Sequence, residues 1–456
     1  MITVLLLAHN EREFVKTSVE CLRQFSGDVE LRVILVDNAS NDGLGEWASA
    51  QEDISYAYMD NGLEPWGSTL NQVIEAFEID SDVLIMQSRF YALPSSIQKM
   101  QQILNSDESI AVVGPVTTFS RQYQQQPVSV IQNFNDGFEY MNSHADDKTE
   151  KVLGVEGGVF LLKGSMLKDK RLSFDNEIGS LSVLIKDLSV QAVLNGYKSV
   201  VARSVLFHEQ KADLPESEGT LLFYDDDCRI LEKKWGTHYF NTTGNSHIFT
   251  QISQNENDKF KVLEIGCDCG ATLLYIKNIY PNSEIYGCDI SEPAVRIAQH
   301  ITTKAFLCNI ESEKIPEDLG DFDYIIFGDV LEHLRDPKKV LEYVRTRLSQ
   351  GGRVIASIPN LMNISVVREL LKGNFTYTET GLLDKTHIHL FTFNEIIRMF
   401  GETGYNVENI TSINSMISDS DNVLIDGLLK LEPNAKRFMY ETFQYLVVAG
   451  KNSTGL

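Results

Sequence analysis

Glycine and carboxylate residues follow two apolar segments in the second half of the chain, at a spacing that suits a nucleotide ligand. The segment from Val262 to Gly270 has the pattern of a strand, a glycine turn and the start of a helix, with Gly266 opening the turn. Asp289 ends the next apolar segment, where a carboxylate can accept hydrogen bonds from both hydroxyls of a ribose. This pattern alone fits either a dinucleotide or a ligand that contains adenosine.

Asp268, inside the glycine turn, distinguishes these two ligands by charge. A dinucleotide fingerprint needs a second glycine here so that the backbone can approach the diphosphate, which a carboxylate would repel. S-adenosylmethionine has no phosphate and carries a positively charged sulfonium, which suits acidic residues at Glu264, Asp289 and Asp329. The sequence therefore favours S-adenosylmethionine over NAD.

From Lys259 to Lys451 the chain resembles the class I S-adenosylmethionine-dependent methyltransferases. The resemblance is carried by Glu264 with Gly266 and Gly270, Asp289-Ile290, the run from Phe322 to Leu334, and the turn from Leu348 to Arg353. It implies that S-adenosylmethionine is bound by Glu264, Gly266, Gly270, Asp289, Ile290, Asn309 and Asp329.

Two positions depart from the pattern of that family. Asp268 stands where glycine is usual, so we expect an aspartate with left-handed backbone in the turn. Asn309 stands where an aspartate commonly contacts adenine, and its amide can still bond to the exocyclic amine. The resemblance thus implies an intact binding site for the methyl donor.

Three histidines are candidates for the base that removes a proton from an acceptor hydroxyl. His333 ends the run from Phe322, while His387 and His389 lie in a segment (Leu382–Thr392) that resembles one in methyltransferases of glycan and small-molecule tailoring. An extended chain would place His387 and His389 on one face, and a near-neutral imidazole suits proton removal. The alternative, that these histidines only cap, pack or shape the pocket, stays open.

A metal site is the other chemistry that these residues could support. Asp384, His387 and His389 could together ligate an ion, but no supporting cluster of ligands accompanies them in the sequence. We therefore expect no divalent metal.

Three segments between Met1 and about His208 resemble the family 2 glycosyltransferases of GT-A fold. They are Thr3–Asn10, Val33–Gly43 and Gly67–Asn71. The resemblance implies a nucleotide-sugar site formed by Ala8, Asn10, Asp37, Asn38, Asn71 and Arg89. The alternative, that residues 38–43 form only a turn, is weakened by the order and spacing of the three segments together.

The centre of this first half departs from the family. Most relatives hold a divalent metal at the diphosphate with an Asp-x-Asp motif, but after the strand Val83–Met86 this chain has Gln87-Ser88-Arg89. The acidic pair expected just before Asp187 is also replaced, by Leu184-Ile185-Lys186. In one interpretation Arg89 replaces the charge of the metal and Asp187 is the base of a metal-independent transferase. In the other, favoured by the double loss, the module has no catalysis and is a sugar- or nucleotide-binding scaffold that presents a glycan to the methyltransferase.

Short apolar segments alternate with helical patterns in both halves, which predicts an α/β protein of two tandem Rossmann-like modules. We expect a GT-A nucleotide-sugar fold in residues 1–210, a connecting region in residues 211–258 and a class I methyltransferase fold in residues 259–456. The segments Ile2–Leu7, Leu31–Val36 and Val83–Met86 are apolar on both faces, as buried parallel strands are. Asn10 and Glu13 have the spacing of a capping box at the first helix.

The composition excludes several classes of function. Among 456 residues, 40 Lys and Arg face 64 Asp and Glu, so the net charge of −24 disfavours nucleic acid and anionic membrane surfaces as partners. Six scattered cysteines do not suggest a disulfide scaffold, and no apolar run reaches the length of a membrane span. The first residues lack the basic segment of a signal peptide, so we expect a cytoplasmic protein.

These patterns predict an enzyme that methylates a sugar hydroxyl with S-adenosylmethionine in glycan or surface-polysaccharide biosynthesis. The first half is expected to bind or transfer a sugar, with a nucleotide sugar as donor if it transfers. Two alternatives remain: a bifunctional enzyme with an active, metal-independent glycosyltransferase, and a glycan-binding scaffold without turnover. The two methyltransferase motifs argue against the scaffold.

Overall fold

The computed structural model describes residues 1–60, 63–118, 149–210, 224–237 and 241–452. They fall into two units, Met1–Thr243 and Gly244–Leu456. The predicted connecting region 211–258 is divided between them, because Leu231 is buried in the core of the first unit and Ile248 in a core of the second. Residues 211–223 and 238–240 of that region lie outside the described residues.

The first unit contains a sheet of nine described strands in the order β3-β2-β1-β4-β8-β6-β9-β5, with β7 paired to β9. The strands are β1 (Ile2–Ala8), β2 (Leu31–Asp37), β3 (Ile54–Tyr58), β4 (Asp82–Gln87), β5 (Phe90–Ala92), β6 (Ile110–Thr117), β7 (Thr149–Val152), β8 (Val159–Leu162) and β9 (Lys198–Glu209). The helices are α1 (Arg12–Phe25), α2 (Leu44–Ser49), α3 (Trp66–Ala76), α4 (Ser96–Ser106), α5 (Gly164–Lys168), α6 (Leu181–Leu194) and α7 (Tyr224–Trp235).

Strand β1 shows why its sequence is apolar without interruption. All seven of its residues are buried. Leu5 and Leu7 point into one core cluster, and Val4 and Leu6 into another on the opposite face of the sheet. Strand β1 is parallel to both β2 and β4, so the prediction of parallel strands is confirmed. Strand β4 is buried from Val83 to Met86, whereas β2 is buried only from Ile34 onward.

The predicted capping box at α1 is wrong. The helix begins at Arg12, whose backbone amide donates to Oδ2 of Asp42 at 2.8 Å. Asn10 has a φ of 55°, outside the helical region, and its side-chain oxygen accepts from the amide of Asn41 at 2.8 Å. A carboxylate distant in the sequence therefore serves the amino end of α1.

The second unit contains a sheet of seven described strands in the order β12-β11-β10-β13-β14-β16-β15. The strands are β10 (Lys261–Ile265), β11 (Glu284–Asp289), β12 (Lys304–Leu307), β13 (Phe322–Gly328), β14 (Leu348–Pro359), β15 (Tyr405–Asn414) and β16 (Thr442–Lys451). The helices are α8 (Ser246–Phe249), α9 (Ala271–Ile279), α10 (Glu292–Ala298), α11 (Pro337–Thr346), α12 (Ile364–Leu371), α13 (Phe393–Glu402), α14 (Asp419–Leu431) and α15 (Phe438–Glu441), with short 3₁₀ turns at Glu317–Leu319 and Leu331–His333.

Local signals in the sequence account for several of these elements. Ser291 caps α10 by accepting from the amide of Ala294 at 3.4 Å, as its position before Pro293 predicts. Strands β10 to β14 are mutually parallel, whereas β16 runs antiparallel between β14 and β15. The predicted α/β class is therefore confirmed in both units.

Both sheets reverse their strand order at a central strand. In the first unit β1 lies between β2 and β4, and in the second β10 lies between β11 and β13. Ligands of open α/β sheets bind beyond the carboxyl ends of the strands at such a reversal. The candidate sites therefore lie after β1 and β4 in one unit and after β10, β11 and β13 in the other.

Two further expectations can be compared with this fold. All six cysteines are described and none forms a disulfide, so Cys267 and Cys269 are thiols within a turn, as predicted. Across the described ranges, every helix is too short or too polar to cross a bilayer.

Candidate functional site

The turn between β10 and α9 is built from left-handed residues. The φ angles are 70° at Gly266, 46° at Asp268 and 86° at Gly270, so the predicted left-handed Asp268 is confirmed. A Cβ atom on Gly266 would lie 2.5 Å from a methyl carbon of Val330, which explains the need for glycine at this position. The amide of Asp268 donates to Oδ2 of Asp289 at 2.9 Å and ties the turn to the end of β11.

Asp289 is held in place by backbone amides while keeping acceptor capacity. Its Oδ1 accepts from the amide of Ser291 at 2.8 Å, and its Oδ2 accepts the bond from Asp268. Each carboxylate oxygen has two lone pairs, so both can still accept a hydroxyl proton. The next side chain, Ile290, is 75% exposed and offers an apolar surface beside this carboxylate. The pair therefore suits a ribose and an adjoining flat base.

Glu264 lies in β10, close to its carboxyl end and nearly out of reach of water. Its side chain is 4% exposed, and Oε2 has no hydrogen-bond partner among the described residues. Burial raises the pKa of Glu264 to about 8; a bond from Thr272 opposes the shift, and the charges of Asp268 and Asp289 add to it. A cationic group bound nearby would restore the charged form, so this orphaned carboxyl fits the ammonium or sulfonium of S-adenosylmethionine.

Asp329 and Asn309 complete the same edge of the sheet. Asp329 follows β13 with a φ of 56°, and its Oδ1 accepts from Oγ of Ser357 at 2.9 Å and from Nε2 of Gln444 at 2.6 Å. Burial raises the pKa of Asp329. Asn309 follows β12, and its side-chain oxygen accepts from the amide of Glu311 at 3.1 Å. The predicted donor-binding residues thus line the carboxyl ends of four neighbouring strands.

The structure pairs the histidines differently from the prediction. The rings of His333 and His387 lie 4.8 Å apart between centroids, whereas Nε2 of His389 lies 3.2 Å from the carbonyl oxygen of Arg335. The expectation that His387 and His389 share a face of an extended segment is wrong. The amides of Ile388 and His389 both donate to the carbonyl oxygen of Glu332, at 2.8 and 3.0 Å, which turns the chain between the two rings.

The His333–His387 pair offers two ring nitrogens with free lone pairs. Nδ1 of His333 lies 3.2 Å from the carbonyl oxygen of Thr386, and Nδ1 of His387 lies 3.3 Å from that of Leu382. Because a carbonyl oxygen only accepts, each Nδ1 carries a proton, so in the neutral ring each Nε2 is an acceptor. Burial and the neighbouring His333 lower the pKa of His387, which favours its neutral form.

A cavity of about 370 Å³ lies between α12 and residues 374–383, and neither His333 nor His387 is among the residues that line it. Its wall includes Leu382, whose carbonyl orients His387, and Phe443, which precedes the Gln444 that contacts Asp329. Ser365, Asn374, Thr376 and Thr378 contribute hydroxyl and amide groups, Glu369 a carboxylate, and Val366 and Leu383 apolar surface. A cavity with this mixture of groups is suited to a polar acceptor.

In the first unit, four predicted residues gather at the ends of β1 and β2. Ala8 and Asp37 are register partners, and both are buried. Asp37 accepts from the hydroxyl of Tyr56 at 2.6 Å and from the amide of Ser40 at 2.8 Å. Asn38, also buried, donates to the carbonyl oxygen of Glu64 at 2.8 Å, and Asn10 stands exposed beside them.

Asn71 does not share those contacts. It lies in α3, and its amide donates to the carbonyl oxygen of Phe174 at 2.9 Å and to Oδ1 of Asn176 at 2.7 Å. These bonds hold α3 against the loop before α6. Its predicted contact with a nucleotide sugar stays a prediction, and the structure adds a role in packing.

The charge of Arg89 is already paired, in contrast to the expectation that it would face a diphosphate. Its Nη2 lies 2.9 Å from Oε1 of Glu11, and the hydroxyl of Ser88 donates to the other oxygen of the same carboxylate. Both charged side chains are largely buried. The sequence did not predict this pairing, because 78 positions separate the two residues.

Asp187 is not placed to act as a base. Its side chain is fully buried in α6, where it accepts from Lys234 Nζ at 2.8 Å, Gln191 Nε2 at 2.8 Å and Trp235 Nε1 at 2.9 Å. Burial raises its pKa, while Lys234 opposes the shift. The catalytic prediction for Asp187 is therefore contradicted: the carboxylate anchors α7 on α6.

Two α/β units, each with a reversal of strand order at a central strand, agree with the comparisons to known families. Residues 3–161 match the model of glycosyl transferase family 2, and residues 263–354 match that of a methyltransferase domain. The chain therefore joins a family 2 glycosyltransferase domain to a methyltransferase domain, as predicted.

Curated relatives match only part of the chain. "O-methyltransferase 3" of Dictyostelium discoideum is 24% identical over 218 residues, which are 43% of this chain and 48% of the relative. A ubiquinone biosynthesis O-methyltransferase of Acinetobacter baylyi is 27% identical over 106 residues, 22% of this chain and 44% of the relative. The chain spans about half the length of the curated relatives it matches.

Solved structures also match the chain. An S-adenosylmethionine-dependent methyltransferase of Mesorhizobium loti is 15% identical with a TM-score of 0.33, over 44% of this chain and 94% of its own. PKMT2 of Rickettsia typhi in complex with AdoHcy is 17% identical with a TM-score of 0.31, over 44% and 50%.

Proposed function

We propose that the second unit transfers a methyl group from S-adenosylmethionine to a sugar hydroxyl during glycan or surface-polysaccharide biosynthesis in the cytoplasm. The observation that carries the proposal is the acidic edge of Glu264, Asp289 and Asp329 around the left-handed turn at Gly266. This edge attracts a cation and would repel a diphosphate. The match to a methyltransferase domain and the names of the two O-methyltransferase relatives support an oxygen acceptor.

Four residues of the predicted donor site have separate parts in holding the methyl donor. Asp289 accepts the ribose hydroxyls, Ile290 packs against the base, and the amide of Asn309 accepts from its exocyclic amine. Glu264 compensates the positive charge of the donor. S-adenosylmethionine, when bound, supplies a methyl group on a positively charged sulfur.

The chain contributes a proton acceptor to the transfer step. The acceptor oxygen forms its bond to the methyl carbon while the carbon–sulfur bond breaks and its electron pair stays on sulfur. The hydroxyl proton passes to Nε2 of His387 or His333, both of which have a free lone pair. His389 lies apart from this pair and is assigned no proton.

Isotope transfer from methyl-labelled S-adenosylmethionine tests the proposal. Purified protein should label a sugar hydroxyl in a panel of nucleotide sugars, oligosaccharides and lipid-linked glycans. A catechol and a lysine-containing protein serve as competing acceptor classes. Label on either of those, with none on any sugar, would refute the sugar assignment, and failure to bind S-adenosylmethionine would refute the methyltransferase.

For the first unit we propose recognition of a sugar or nucleotide without transfer. Gln87-Ser88-Arg89 supplies no carboxylate for a metal, Glu11 neutralises Arg89, and Asp187 is buried against Lys234. The competing proposal is an active, metal-independent transferase. Incubation with nucleotide sugars should show binding without donor turnover. Turnover that survives a chelator would establish the competing proposal, and turnover abolished by a chelator would contradict both.

A further inference from the structure

A buried carboxylate beside the histidine pair lacks a partner. Glu332 lies in the 3₁₀ turn Leu331–His333, is fully buried, and neither of its oxygens has a hydrogen-bond partner from another residue in the described ranges. The carboxylates of Asp329 and Asp384 lie near it. Within the described part of the chain, no Lys or Arg forms an ion pair with any of these three carboxylates. A buried carboxylate left like this is costly unless a cation compensates it.

The two imidazoles beside Glu332 are oriented as metal ligands usually are. In protein metal sites a ligating histidine donates its other ring N–H to a carbonyl or carboxylate, which fixes the tautomer. His333 and His387 both do this through Nδ1, to the carbonyl oxygens of Thr386 and Leu382. Each Nε2 therefore carries a free lone pair.

The three side chains are also close enough to share one ion. One ligand atom from each of Glu332, His333 and His387 lies within 4.8 Å of the other two. In a tetrahedral zinc site with bonds of about 2.0–2.2 Å the ligand atoms lie roughly 3.3–3.6 Å apart, so the side chains would rotate inward to complete the geometry.

We propose that Glu332, His333 and His387 bind one divalent transition-metal ion, with Zn²⁺ or Co²⁺ favoured over Mg²⁺. Two imidazoles and one carboxylate suit Zn²⁺ and Co²⁺, whereas Mg²⁺ prefers to be coordinated by oxygen atoms alone. Three protein ligands leave at least one position open for an oxygen of a substrate. The sequence did not predict this site, because the ion considered there used Asp384 and His389, and the turn at Ile388 separates His389 from the pair.

The role of the ion, unlike its binding, rests on the proposed function. An acceptor hydroxyl bound at the open position would have a lowered pKa and would lose its proton to solvent water. The bound oxygen would then attack the methyl carbon, and the carbon–sulfur electron pair would stay on sulfur as before. In that case His333 and His387 act as ligands and not as bases.

Cobalt titration of the full-length protein tests the metal site without using activity. After dialysis against a chelator, Co²⁺ should bind in a 1:1 ratio and give the intense visible absorption of a four- or five-coordinate ion. Glu332→Gln and His387→Ala should each weaken binding at least about tenfold. His389→Ala should bind like the natural protein, since His389 lies outside the cluster. Circular dichroism and thermal melting show whether each variant folds, and the half-exposed His387 provides a test if Glu332→Gln does not.

Two results would overturn the site. One is a natural protein without the visible absorption, and the other is unchanged affinity in a folded His387→Ala variant, which would mean adventitious binding elsewhere. Titrating the metal-free protein with S-adenosylmethionine separates this inference from the proposed function. Cobalt binding without S-adenosylmethionine binding would leave the metal site standing and refute the methyltransferase, and the reverse would refute only the metal site.

Discussion

Replacing Asp289 by alanine should selectively weaken the binding of S-adenosylmethionine. The carboxylate would make two charge-assisted hydrogen bonds to the ribose, each contributing about 1.5–3 kcal/mol when formed. Part of that is recovered when water solvates the ligand, so we expect a net loss of about 1.4–3 kcal/mol. This corresponds to an affinity about 10- to 100-fold lower.

The substitution also removes the bonds from the amides of Asp268 and Ser291, so a matched control is needed. Asp323→Ala provides one in the same sheet. Asp323 accepts from the amide of Lys261 at 2.9 Å and from Oγ of Ser349 at 2.7 Å, at the opposite, amino end of β13. It should cost similar stability and leave affinity unchanged.

Isothermal titration calorimetry with S-adenosylmethionine measures the affinities, and thermal melting confirms that both variants are folded at the assay temperature. An Asp289→Ala protein whose dissociation constant stays within threefold of the natural value would refute the assignment of the carboxylate to the ribose. Equal weakening by Asp323→Ala would show that the loss is a general effect of a destabilised sheet.

Three further predictions concern single residues. Gly266→Ala should lower the affinity for S-adenosylmethionine at least about tenfold, because a residue with a φ of 70° and a Cβ atom 2.5 Å from a methyl carbon would distort the turn. As a control, the Gly351→Ala protein, with a φ of 82° and open space around the position, should have a lower melting temperature by calorimetry and unchanged affinity. Asp187→Ala should lower the free energy of unfolding, measured in urea, by about 3 kcal/mol, since it breaks a buried ion pair. Replacing the exposed Asp53 by alanine should lower it by less than about 1 kcal/mol, and equal losses would contradict the structural role of Asp187. Burial raises the pKa of Glu264 from 4.5 to about 8, so the stability that its neutral form contributes is complete below pH 4.5 and is lost as the pH rises to about 8. The melting temperature of Glu264→Gln should therefore fall less between pH 5 and 8 than that of the natural protein, and parallel plots of melting temperature against pH would contradict the raised pKa.

The elements that the sequence predicts correctly are those whose signal is local. Strand β1 is buried on both faces, so its apolar run needs no knowledge of the tertiary structure. Helix α10 is capped by Ser291, and Pro293 lies in its first turn, so both signals act within one turn of the helix start. The left-handed Asp268 was expected for the same reason, because a glycine turn needs that conformation at a fixed offset.

What the sequence could not predict depends on residues distant along the chain. Asp42 caps α1 across 30 positions, and Lys234 reaches Asp187 across 47. His333 packs against His387. The carbonyl oxygen that orients the His333 ring belongs to Thr386, 53 positions further along the chain. Periodicity and spacing carry no information about such pairs, because packing of complete elements determines which of them form.

The pairing of Glu11 with Arg89 bears on attempts to engineer glycosyl transfer into the first unit. Arg89→Asp alone would put a second carboxylate opposite Glu11 and remove the only cation that contacts it in the described ranges. Two carboxylates facing each other repel unless one takes up a proton or a cation lies between them. A single codon change would therefore turn a self-neutralised pair into an acidic cluster able to recruit a divalent ion. Glycosyl transfer would need further changes, because Leu184-Ile185-Lys186 replaces the acidic pair and Asp187 is paired with Lys234.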